Sequence, residues 1–97
     1  MVKVQIRKST DPKKKLMAVF TDHDGKKIKT THFGAAGADD FTKTRDEAQK
    51  KRYLGRHRKR ENWSAPKTAG ALSRWILWNK PTRAASIADF KRRFDLH

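Results

Sequence analysis

Val2, Val4 and Ile6 alternate with Lys3, Gln5 and Arg7, and past residues 34–40 this period of two gives way to apolar residues spaced three and four apart. One element cannot carry both periods, because side chains alternate across a strand but return to one helix face every 3.6 residues. The switch predicts a sheet followed by helices, an α+β fold. A chain of 97 residues has room for one core, so a single domain over residues 1–97 is expected.

The strands can be placed from their punctuation. Asp11-Pro12, followed by Lys13, Lys14 and Lys15, reads as a turn. Residues 16–20 form a second apolar run, and Asp24-Gly25 is a hairpin signal. Residues 27–33 then alternate Lys29, Thr31 and Phe33 with Ile28, Thr30 and His32. An N-terminal three-stranded antiparallel β-meander is expected over residues 1–33, and residues 34–40 read as a flexible link.

Three helices are expected over residues 44–96. Thr44-Arg45-Asp46-Glu47 has the capping-box pattern and opens a helix to about residue 57, whose apolar stripe is thin: Ala48, Tyr53 and Leu54. Pro66 breaks the chain, and Thr68 can cap a second helix to about residue 79, with Leu72, Trp75, Ile76 and Asn79 at i, i+3, i+4 and i+7. Lys80-Pro81 ends it. The third helix has two possible starts, after Thr82 or after Ser86, and the cap signature Ser86-Ile87-Ala88-Asp89 favours Ser86. Ile87, Phe90 and Phe94 line one of its faces, and Lys91, Arg92 and Arg93 the other.

Charge narrows the function. Lys and Arg number 25 against 10 Asp and Glu, a formal net charge of +15. The excess is spread along the chain: +6 over residues 1–33, +4 over 34–63 and +5 over 64–97. A folded unit this basic repels itself and implies an anionic partner. No cysteine is present, which excludes disulfides and thiolate metal sites. No apolar run approaches the roughly 20 residues of a membrane span, and the N-terminus lacks a signal-peptide block, so an unsecreted protein is expected.

The densest cationic stretch lies in residues 43–60. Lys50, Lys51, Arg52, Arg56, Arg58, Lys59 and Arg60 are candidate phosphate contacts, and Tyr53 and Trp63 candidate stacking aromatics. A solvated helix face accounts for the same cations on its own. Trp75 falls on an apolar helix face and is expected in the core, with Trp78 shielding its edge. Lys13, Lys14, Lys15, Lys26 and Lys27 sit at strand ends, where they can guard exposed edges. Asp22-His23-Asp24 reads as turn chemistry, not a metal site. Asp39, Asp40, Asp46, Glu47 and Glu61 are the acids available to a nuclease-like magnesium site, but two of them suit helix caps. No cofactor, metal site or enzymatic activity is expected.

A set of local motifs adds a setting. Ala18-Val19-Phe20, Gly25-Lys26-Lys27, Phe33-Gly34-Ala35, Asp40-Phe41-Thr42, Arg52-Tyr53-Leu54, Arg60-Glu61-Asn62-Trp63 and above all residues 68–94 resemble a family of small basic proteins of nucleocytoplasmic large DNA viruses, notably those infecting algae. That family has no assigned activity. The resemblance implies a compact domain in a viral setting, in the virion or in the host cytoplasm or nucleus. The resulting expectation is sequence-independent binding of nucleic acid, DNA before RNA, in genome packaging. The alternative is a minor capsid protein that cements acidic virion components through protein contacts.

Overall fold

The computed structural model describes residues 2–97; Met1, counted in the expected domain and meander, lies outside the described residues. Strands β1 (Lys3–Lys8), β2 (Lys14–Thr21) and β3 (Lys27–Ala35) form an antiparallel sheet in the order β1-β2-β3. Helical elements follow: α1 (Phe41–Thr44), α2 (Glu47–His57), α3 (Ala69–Leu72, continuing as a π-helical turn, Ser73–Leu77) and α4 (Arg83–Arg93). The α+β class and the meander are as expected.

Register explains which face is covered. Val4 pairs with Phe20 and Leu16 with Phe33, so Val4, Leu16, Ala18, Phe20 and Phe33 share one side of the sheet. All five are buried there against Leu72, Ile76, Leu77 and Phe90. In the π turn the amide of Trp78 donates to Ser73 O at 3.1 Å. The wider turn carries an extra residue, so Ile76, Leu77 and Trp78 are buried in succession, beyond the single α-helical stripe expected. On β3, the pairing skips from Phe20–Lys29 to Thr21–Lys27, which leaves Ile28 as a bulge, 46% exposed.

Three local expectations are corrected. Residues 34–40 are anchored, not a loose link: Lys15 Nζ donates to Ala38 O at 2.6 Å and to Asp40 Oδ2 at 2.5 Å, and Asp40 is 1% exposed. Gly34, at φ 78°, is required here, since a Cβ would come within 2.8 Å of Leu77 Cδ1. Secondly, the cap of α2 is Asp46, whose carboxylate accepts from the amides of Ala48 and Gln49, while Thr44 ends the unexpected short helix α1. A charged carboxylate at the positive end of the helix stabilises it more than a hydroxyl.

Thirdly, α4 starts after Thr82, whose hydroxyl accepts from the amide of Ala85. Ser86 is buried one turn inside the helix, and its Oγ accepts from the amide of Lys80 at 3.0 Å. The cap signature at Ser86 is instead a tie across the 80–82 turn. Asp89 does not cap; it is 7% exposed and accepts from Asn79 Nδ2 at 2.7 Å. The tail folds back: Val4 N donates to His97 O and His97 N to Val2 O, covering part of the outer edge of β1.

Candidate nucleic-acid interface on α2

α2 docks through a narrow stripe. Tyr53, Leu54 and His57 lie against the core cluster or its edge, and no residue of the helix is buried outright. With 100° between successive residues, the opposite side carries two ridges: Lys51, Gly55 and Arg58 at i, i+4 and i+7, and Arg52, Arg56 and Lys59 beside them. Arg58 keeps α-helical dihedrals, and Arg60 closes the turn with its amide on His57 O. Ala48 lies between the ridges and Gly55 leaves a gap in the first, both exposed, with nothing within 4 Å of a Cβ built on Gly55. The face is low in the middle and cationic on its flanks.

Among the described residues, Lys51, Arg52, Arg56, Arg58, Lys59 and Arg60 are all exposed and make no side-chain hydrogen bond, ion pair or ring contact. The cations at the C-terminal end also complement the helix dipole.

The other three expected site residues are already engaged. Lys50 Nζ donates to Asn79 O at 2.7 Å and lies 4.7 Å from the centroid of Phe41, so it ties α2 to the end of the π turn. Burial pushes its pKa down. Lys50 is therefore a structural cation, a correction to its expected role. Tyr53 stacks on Trp78 at 4.3 Å and on His57 at 4.1 Å, both near parallel. Two rings that close cannot share a face, so both faces of Tyr53 are covered and base stacking on it is closed off. Burial, helped by the charge of Glu61, pushes its phenol up to about 12 against a hydrogen bond with Ser73.

Trp63 is half-buried beside this face. Its Nε1 donates to Glu61 Oε2 at 3.1 Å, and the Arg74 guanidinium lies 5.4 Å from its ring. Glu61 also accepts from His57 at 3.0 Å, which fastens the 58–60 turn at both sides. The acids considered for magnesium are dispersed: Asp39 faces Lys43, Asp46 caps α2, and Glu61 holds His57 and Trp63. Among the described residues no three His, Asp or Glu side chains converge to hold a metal ion. No described helix is long and apolar enough to cross a membrane.

A second cationic cluster escaped notice in the sequence. Arg74 and Arg93 lie 4.2 and 3.8 Å from the ring of Trp75, whose Nε1 donates to Trp63 O. Arg74 Nη1 donates to Trp78 O, and Arg93, with Arg92, pairs with Asp89. Burial and the charge of Arg93 push the pKa of Arg74 down. Arg92 and Arg93 lie on the expected face of α4, and from there both reach Asp89. Only the adjacency of Arg74 and Trp75 in the sequence hinted at the cluster.

No curated protein and no solved structure matches the chain. One family model does, over residues 4–57, which span the sheet, α1 and α2 with three of its six open cations but stop before the 58–60 turn. The chain belongs to that family, DUF5754, described as a family of unknown function.

Proposed function

We propose that the protein binds nucleic acid without sequence preference through the outer face of α2 and the 58–60 turn. The supporting observation is the six exposed cations there, none with a partner among the described residues. Other cations of the chain are open as well, among them Lys3 and Lys27; what sets this surface apart is that six stand together on one helix and the turn after it. Lys and Arg set on two ridges suit the phosphates of a backbone, and each neutralised phosphate releases counterions. Because Tyr53 is covered on both faces, the reading favours the phosphate backbone of a duplex over unpaired bases. In a large DNA virus, the setting its resemblance implies, the packaged genome would be the polyanion.

The test is affinity for a random-sequence duplex at two salt concentrations. Six contacts predict a log–log salt slope of about −5. A Kd weaker than about 100 μM at moderate salt would overturn the reading. Nuclease-resistant association with acidic shell proteins, without duplex affinity, would transfer this surface to the cementing role.

A further inference from the structure

The sheet has a second, uncovered side. Lys3, Gln5 and Arg7 alternate away from buried Val4, and Arg7, Met17 and His32 form one cross-strand row there, with Gln5, Val19 and Thr30 in the next. Met17 and Val19 take no part in the hydrophobic core or its fringe, and remain partly exposed. The helical elements all belong to the other side, so this face turns away from the layer that carries α2.

The charge on these strands is one-sided. β1, β2 and β3 carry seven Lys and Arg and not one Asp or Glu. On the open face Lys3 and Lys27 stand together at one end, both paired with Thr21, and Arg7 stands towards the other, whereas Lys14 falls in step with buried Leu16 and belongs to the side that carries α2. Lys3, Arg7 and Lys27 are all exposed, and none forms an ion pair among the described residues. An eight-residue strand spans about 26 Å. That is the rise of roughly seven or eight base pairs of duplex, each adding two phosphates. A second copy of the chain would bring the same uncompensated charge to this face and be repelled.

We propose that the open face of the sheet is a second nucleic-acid surface, so that one molecule bridges two duplex segments. The inference rests on the reading of α2 as the first surface. Two weak sites on one rigid body hold two segments at high effective concentration, which is the requirement for compaction.

The experiment uses the full chain and two duplexes of unrelated sequence, one on beads and one fluorescent. Capture of the fluorescent duplex reads bridging, and titration of the fluorescent duplex alone reads binding. One variant combines Lys3→Gln, Arg7→Gln and Lys27→Gln. A charge-matched control combines Arg45→Gln, Lys80→Gln and Arg83→Gln. The sheet variant is expected to bind a single duplex within about threefold of the parent but to lose about tenfold in capture, with the control close to the parent. Undiminished capture by the sheet variant, or equal loss in the control, overturns the proposal. A variant lacking the α2 cations reports separately: unchanged affinity for a single duplex removes the first surface and the bridge with it.

Discussion

The cluster around Trp75 and the outer face of α2 are made from the same materials and use them in opposite ways. At Trp75 the arginines are engaged: Arg74 and Arg93 both lie against the indole, Arg74 donates to Trp78 O, and Arg92 and Arg93 hold Asp89. On α2, Lys51, Arg52, Arg56, Arg58, Lys59 and Arg60 touch no aromatic and no acid among the described residues. What separates them is burial: Asp89 and Asp40 are buried beside their cations, whereas Glu47 and Glu61, the acids nearest the open face, flank its two ends and pair with none of the six. Cations near buried acids and rings hold the fold; cations without them are available for function.

The engaged side should break the fold when cut. Asp40→Ala removes the partner of Lys15 and the cap of α1 together, and is expected to cost about 3 kcal/mol in urea unfolding. Asp39→Ala, one residue away and exposed, should stay within about 0.5 kcal/mol. The same contact sets an acid limit. Burial alone would raise the carboxyl of Asp40, but Lys15 and Thr42 outweigh it and hold the pKa below its ordinary 3.8. Asp89 is lowered too, by Asn79, Arg93 and Arg92 against burial. For such depressed groups the stabilisation is complete above the ordinary carboxylate value and is lost as pH falls through the lower folded one. Unfolding free energy should be flat from pH 7 to about 5 on this account, then fall below about 4, and Asp40→Ala should flatten that fall.

A smaller effect separates the two sets of arginines directly. Arg74→Met loses its rings and its bond to Trp78 O, at an expected cost of about 1–2 kcal/mol, and leaves duplex affinity intact. Arg52→Gln should do the reverse: stability within about 0.5 kcal/mol of the parent and weaker duplex binding. Equal losses of stability would erase the distinction. Tyr53, the only tyrosine in the chain, gives the mildest check. Its absorbance titration should have a midpoint near 12. Because the folded value is raised, the stability it contributes is present below about pH 10 and disappears as pH climbs towards 12. A midpoint near 10 would mean the stack on Trp78 is open.

The meander was legible in the sequence because Val2, Val4 and Ile6 and the Asp24-Gly25 turn are local signals, and strand registry follows from them. The cap at Thr68 was legible for the same reason. Ser86 misled because a buried hydroxyl bonding the amide of Lys80 is a tertiary tie, which looks like a cap when only neighbours are counted. Lys50 and Tyr53 misled similarly: their composition matched a binding face, and only folding showed that Asn79, Trp78 and His57 already held them. The location of the cationic density was written in residues 50–60, while the division into engaged and open cations depends on contacts 20 to 30 residues away.

The most direct test of that division is the salt dependence of duplex affinity in two variants that each remove two arginines. Arg52→Gln with Arg56→Gln takes them from the open face, and Arg74→Met with Arg93→Met from the cluster at Trp75. The first should reduce the slope of log K against log salt by about 1.8, and the second should leave it unchanged. Equal reductions in both, or none in the first, would contradict the assignment of α2 as the polyanion surface.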